Sequence, residues 1–253
     1  MYEHILESLK EFLLIQGKII RKNFLSTSDI KFEIDKNIHR ELKLDVDFMI
    51  EKEVISFLKK YKIPILSEEL GLVNEDKDSE FIFIVDPLDG SFNFFRGLTP
   101  FSISIGLWKN NSPLWGIIYD PIMKELIWGG KEIGSYCNNK KIHVSYESDI
   151  KKSVICSGFP SRFNFEDKTN NLEFLSFLSN FMKVRMIGAA SISLSLVAKG
   201  KVDAYFEENI MLWDVAAGIP IVQGAGGNVS YEKVANDYSL NVFASNGNIK
   251  INH

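Results

Sequence analysis

The sequence predicts a fold of mixed α+β and α/β class, with a mainly antiparallel sheet in the N-terminal half and a mixed α/β arrangement in the C-terminal half. Three observations predict it. Ile5, Leu6, Leu9, Phe12, Leu13, Ile19 and Ile20 recur at helical spacing, so the chain opens on an amphipathic helix. The runs FSISIGLW, WGIIYD and KELIWGG then follow at hairpin intervals. From Ser153 onward strand and helix patterns alternate, as they do in α/β layers. With 253 residues, 45% of them hydrophobic, the chain is long enough for a substantial core.

Taken in order, the residues KFEIDKNIHRELKLDVD (31–47) read as a loop or short hairpin, and a second helix is expected from about Phe48 to Tyr61. Ile63–Leu66 reads as a short strand, Phe81–Val85 as a buried strand and Asn138-Asn139 as a turn. In the second half SVICSG, VRMI and VDAYFE read as strands, and Asn171–Met182, Ala189–Lys199 and Trp213–Gln223 as helices. Pro220 conflicts with the last helix, because an interior proline loses a hydrogen bond and clashes with the carbonyl of Ala216; a kink or a shorter helix is expected. Two lobes follow. Residues 1–140 carry SEEL and DPLDGS, and residues 141–253 carry WDVAAG, with the boundary near Gly134 to Ile150.

The net charge of −4 comes with scattered lysines, so a nucleic-acid polymer is not expected as a partner. No segment approaches the roughly 18 apolar residues of a membrane span, and the first twenty residues lack the apolar core and cleavage site of a signal peptide. Two cysteines, Cys137 and Cys156, are too few for a disulfide framework, and a cytoplasmic location is expected.

Carboxylates collect where apolar strands end: Glu68 and Glu69 after Ile63–Leu66, and Asp86 and Asp89 after Phe81–Val85. Asp45, Asp47 and Asp214 add to the set. Mg²⁺ prefers oxygen ligands in near-octahedral geometry and keeps several waters, so its site is a few convergent carboxylates with room for a phosphate. Pro87 fixes a turn that lets Asp86 and Asp89 face one point, with the carbonyl of Leu88 as a third oxygen. Gly90 permits close approach of a ligand, and a helix starting there would offer its free N–H groups to a phosphate. Taken alone, Asp86 to Gly90 reads as a structural turn.

Together, SEEL, DPLDGSFNF and LWDVAAGIPIVQGAGG resemble, in order and over nearly the whole chain, the inositol monophosphatase family of metal-dependent phosphomonoesterases. The resemblance implies a layered αβαβα sandwich of the sugar-phosphatase type and in-line attack of metal-bound water on a phosphate monoester, two metals about 3.5 to 4 Å apart clamping the reacting oxygens. It implies that Glu68, Asp86 and the Leu88 carbonyl hold a first metal, Asp86 bridging to a second held by Asp89 and Asp214. Gly90 and Ser91 would bind the phosphate, and the Ser91 hydroxyl, where the family usually has threonine, would help activate the water. Glu68, Asp86 and Ser91 are thus the catalytic candidates. Glu207 and the turn Gly188-Ala189-Ala190 would contact substrate, beside Asp89 and Asp214; Asp47 and Glu69 would lie near a third metal, although ELKLDVD departs from the family pattern there. The implied cofactor is Mg²⁺, two or three per site, with Mn²⁺ as a substitute and Li⁺ or Ca²⁺ as inhibitors; the implied assembly is a homodimer. Asn93-Phe94 points to inositol-1-phosphate or a related polyol or sugar phosphate. Fructose-1,6-bisphosphatase, 3'(2'),5'-bisphosphate nucleotidase and histidinol-phosphatase activities remain alternatives, as does a non-catalytic metal-binding scaffold.

CSGFPSR (Cys156 to Arg162) satisfies the Cys-x5-Arg spacing of thiol-dependent phosphatases, but Pro160 removes one N–H of the loop such enzymes need, and Cys156 reads as a buried strand residue. His4, His39, His143 and His253 lie outside the motifs and read as surface residues. Phe92, Phe94, Phe95 and Phe101 read as packing residues and Arg96 as exposed.

Overall fold

The computed structural model describes residues 3–26, 32–34, 42–74, 76, 78–160, 163–235 and 237–249. The N-terminal half comprises α1 (Glu3–Leu25), the hairpin β1 (Phe32–Ile34) and β2 (Leu42–Leu44), α2 (Asp45–Leu58), β3 (Ile65–Ser67), β4 (Gly71–Val73), β5 (Phe81–Asp89), α3 (Ser91–Phe95), β6 (Ser102–Lys109), β7 (Ser112–Asp120), β8 (Glu125–Gly130), β9 (Gly134–Cys137) and β10 (Lys140–Lys141). There follow β11 (Val154–Ser157), α4 (Lys168–Leu178), β12 (Lys183–Met186), α5 (Ala190–Ala198), β13 (Ala204–Met211), α6 (Leu212–Val215), α7 (Gly218–Gly224), β14 (Asn228–Lys233) and β15 (Ser239–Ser245).

Two mixed sheets form. The larger has the order β10-β9-β8-β7-β6-β5-β3-β4, parallel only where β3 meets β5; the smaller has the order β12-β11-β13-β15-β14, with β12, β11 and β13 parallel. Strand pleating sends alternate residues to opposite faces, and the apolar sets sort accordingly. Phe83, Val85, Ile103, Ile105, Trp115 and Ile117 pack under α1 and α2. From the opposite face Ile84, Trp108, Ile118 and Ile127 meet α5, α6 and α7, which also bury Cys156, Tyr205, Val242 and Ala244 of the second sheet. That sheet's other face, through Ile155, Ala204, Phe206 and Phe243, packs on Phe174, Phe177 and Leu178 of α4. The layers run helix, sheet, helix, sheet, helix, as the αβαβα expectation has it.

Several boundaries move from those expected. Helix α2 starts at Asp45, not near Phe48, and Ile19 of α1 is exposed rather than part of the buried stripe. The pattern over Trp213–Gln223 splits into α6 and α7 at Ala216-Ala217, which places Pro220 in the first turn of α7, where its missing N–H has no helical acceptor to lose. The hairpin of 31–47 is seen in β1 and β2; residues 31 and 35–41 lie outside the described residues. The expected Asn138-Asn139 turn forms with both residues at positive φ, 46° and 64°. Phe94 and Phe101 are core, whereas Phe92 is 60% exposed. Among the described residues no helix is long and apolar enough to cross a membrane.

Candidate active site

Two strand irregularities aim the site. In a regular strand residues three apart point to opposite faces, so Asp86 and Asp89 would diverge. Here Asp86 pairs with Ser104 and Asp89 with Ser102, so β5 carries one extra residue and its ladder is interrupted between the two aspartates. A bulge of this kind re-aims side chains, and it returns Asp89 to the side of Asp86. The Leu88 N–H donates to Asp86 Oδ1 at 2.9 Å, fixing the turn around Pro87, and the Ser91 hydroxyl donates to the Leu88 carbonyl at 2.8 Å. Gly90 sits at φ 88°, a left-handed conformation that favours glycine, and opens α3. A second bulge in β13, after Glu207, leads the chain into α6, where Asp214 lies in the first turn.

Carboxylate oxygens of Asp86, Asp89 and Asp214 lie within 4.8 Å of one another. Asp86 is 1% exposed and Asp89 7%, and Glu68 hydrogen-bonds to Asp86 from the turn after β3. Burial first, then the charges of Glu68, Asp89 and Asp214, holds the Asp86 carboxyl well above the usual carboxylate range. Burial also raises Glu68, with the charges of Asp214, Glu69 and Asp47 adding to it. Asp89 is pushed up to about 6 by burial, opposed by the hydrogen bonds it accepts from the Ser191 hydroxyl and the Ser191 and Ala190 amides. Asp89 thereby caps α5, whose own N-cap residue, Ala189, has no side chain that can do so.

A divalent cation fits this set. The donors are hard oxygens converging on one point, and they are mutually repelling carboxylates, Asp86 and Asp89 buried and Asp214 half-buried, that a cation would relieve. Glu207, 8% exposed on β13, is close enough to feel two of the aspartates: burial, then the charges of Asp214 and Asp89, pushes it up to about 8. Gly158 lies against it, and a Cβ there would stand 2.7 Å from Glu207 Oε1. The turn Gly188 to Ala190 is fastened to the aspartate turn by Asn93, whose amide donates to Pro100 O at 2.8 Å and to Ile187 O at 3.0 Å. Asp47 and Glu69 join the electrostatic neighbourhood of Glu68, whereas Asp45 is exposed at the start of α2. Sequence reading assigned no tethering role to Asn93, Ser191 or Glu51. Their partners lie far along the chain, and no local pattern marks them.

Cys156 is fully buried, and burial pushes its thiol up to about 12, so it carries no thiolate near neutrality. Arg162, which completes the thiol-phosphatase spacing, lies outside the described residues. Cys156→Ala is expected to leave phosphate release within about twofold of wild type; a loss of a thousandfold would reinstate the thiol. His4 and His143 are exposed, and His39 and His253 lie outside the described residues.

A carboxylate cluster lies at the end of a sheet strand, beside a glycine turn that opens a helix on a five-layer sandwich, and the family comparison puts the chain among the phosphoric monoester hydrolases. The profile of the Inositol monophosphatase family matches residues 1–242, and the chain belongs to that family of phosphatases. It is 30% identical over 231 residues to a "Fructose-1,6-bisphosphatase/inositol-1-monophosphatase" of Aquifex aeolicus, covering 88% of this chain and 86% of that protein. It is 34% identical over 237 residues to "Nus factor SuhB" of Haemophilus influenzae, covering 90% and 86%. The crystal structure of extragenic suppressor protein suhB from Bartonella henselae superposes with a TM-score of 0.85 at 27% identity, covering 97% of this chain and 95% of that one.

Proposed function

We propose that the protein is a Mg²⁺-dependent phosphatase acting on a small, hydroxyl-rich phosphate monoester, inositol-1-phosphate or a related polyol or sugar phosphate. The observation that carries this reading is the convergence of Asp86, Asp89 and Asp214 within 4.8 Å, from β5 and α6, with the buried Glu207 in reach of the charges of Asp214 and Asp89. Glu68, Asp86 and the Leu88 carbonyl would hold one cation, and Asp86, Asp89 and Asp214 a second, with Asp47 and Glu69 near a third. Bound divalent metal supplies Lewis acidity toward the phosphoryl oxygens and lowers the pKa of water.

The remaining work falls to the chain itself. Gly90 and Ser91, at the N-terminus of α3, would offer backbone N–H groups to the phosphate oxygens. The Ser91 hydroxyl is aligned by the Leu88 carbonyl, beside the candidate ligands. Glu207 accepts hydrogen bonds from substrate hydroxyls, and a buried acceptor of this kind discriminates against esters that lack them. Glu207→Gln is expected to raise KM for inositol-1-phosphate on the order of tenfold, since altering a hydrogen-bond partner in a buried site costs about 1–3 kcal/mol, with p-nitrophenyl phosphate hydrolysis little changed. An equal loss on both esters would refute that role. A homodimer belongs to the same reading on family resemblance, and a cytoplasmic location on the two free cysteines.

The test is phosphate release from inositol-1-phosphate, fructose-1,6-bisphosphate, histidinol phosphate and a nucleoside 3',5'-bisphosphate, with Mg²⁺ and with EDTA. Release that EDTA abolishes, strongest on a polyol or sugar ester, is the expected result. Metal-dependent release from none of a broad panel would favour the scaffold instead.

A further inference from the structure

Glu51 is a buried carboxylate that the proposed catalytic set does not use. It sits on α2, one turn after Asp47, among Ile50, Val54, Ile55 and Leu58, and is 1% exposed. An apolar residue at this position would complete the buried face of the helix, and a carboxylate there is costly unless its oxygens accept hydrogen bonds. One of them accepts three. Glu51 Oε1 takes the Ser67 hydroxyl at 2.5 Å, the Glu69 N–H at 3.1 Å and the Leu70 N–H at 3.2 Å.

These donors bracket Glu68. Ser67 precedes it, Glu69 and Leu70 follow it, and the Glu68 N–H itself donates to the Val85 carbonyl at 3.3 Å. The backbone on both sides of Glu68 is thus tied to α2 and β5, which leaves the Glu68 side chain as the part that turns toward Asp86. We propose that Glu51 is a positioning residue: it holds the Ser67–Leu70 turn so that Glu68 meets the cation site in a fixed orientation. The inference rests on the metal reading of Proposed function, and extends it to a side chain that touches neither metal nor substrate. Groups that orient metal ligands typically account for about 10–100-fold in metal affinity.

Mn²⁺ binding by electron paramagnetic resonance, without substrate, tests it on the full chain, with amide hydrogen exchange at Glu69 and Leu70 as a readout independent of metal. Glu51→Leu removes the acceptor and is expected to weaken Mn²⁺ binding about 10–100-fold while speeding exchange at both amides. Glu51→Gln keeps an acceptor oxygen and is expected to bind Mn²⁺ within about threefold of wild type. Ser67→Ala removes one donor outside α2, so it serves if Glu51→Leu does not fold, with weakening of severalfold expected. A folded Glu51→Leu that lowers Tm but binds Mn²⁺ like wild type would overturn the proposal, as would unchanged Mn²⁺ affinity in Ser67→Ala when Glu51→Leu does not fold. Failure of the wild-type protein to bind Mn²⁺ would instead overturn the metal reading beneath it.

Discussion

Asp86→Asn is expected to lower metal-dependent phosphate release on the order of 10³-fold or more on every ester, since loss of even one electrostatic stabiliser of a transition state costs 10²–10³ in turnover. Asp86 is the carboxylate on which Glu68, Asp89 and Asp214 all act. The same substitution should have the opposite effect on the metal-free fold. Asp86 is buried against like charges, and neutralising it removes a repulsion that burial intensifies. Without metal, the variant's Tm should equal or exceed that of wild type, and the rise in Tm that Mg²⁺ gives wild type should vanish, as mass action on a lost site requires. Thermal denaturation in Mg²⁺ and in EDTA checks both. A Mg²⁺-induced rise in the variant as large as in wild type would remove Asp86 from the cation site.

Gly116→Ala is expected to produce the larger structural effect. Gly116 of β7 pairs with Gly106 of β6, and the two make a bare patch on the sheet. On it rests the break between α6 and α7. A Cβ on Gly116 would lie 2.1 Å from the Ala217 carbonyl oxygen and one on Gly106 2.8 Å from that of Ala216, while Trp108 Nε1 donates to Ala216 O at 3.0 Å. The clash is with backbone, so no side chain can swing aside. Overpacking of this kind costs about 1–3 kcal/mol, occasionally more. At the upper end Tm falls by roughly 6–12 °C for a chain of this size. Because Asp214 sits in α6 just before that break, metal-dependent activity should fall along with Tm. A Tm within about a degree of wild type would show that the break does not seat on the glycines.

The sequence made the acidic turns legible because their chemistry is local: Asp86, Pro87, Asp89 and Gly90 are neighbours, and the bulge that converges the two aspartates is written in the same five residues. The layer order was legible only through the family resemblance; the residue patterns by themselves separated an antiparallel half from an α/β half. The tethers were not. Glu51 reaches Ser67 across 16 residues, Asn93 reaches Ile187 across 94, and Asp89 reaches Ser191 across 102, so each reads locally as an ordinary polar residue. The division of Trp213–Gln223 was half legible. Pro220 announced a conflict, but the break falls at Ala216-Ala217, where the constraint comes from the glycine patch of another sheet. The hairpin of β14 and β15 drew no strand expectation, although Val229 and Tyr231 alternate with Asn228, Ser230 and Glu232 as a half-buried strand does.

Asp89 accepts the amides that start α5 while its carboxylate also faces Asp214, so one side chain belongs to two tasks. A cation held among Asp86, Asp89 and Asp214 would close a loop that runs through most of the second half of the chain. It would act as a removable cross-link, and since the chain-entropy cost of closing a loop rises only slowly with its length, one ion could clasp so long a span. Filling the cation site and fastening β5 to α6 would then be a single event, and a chelator would loosen the molecule at the same seam where it stops the chemistry.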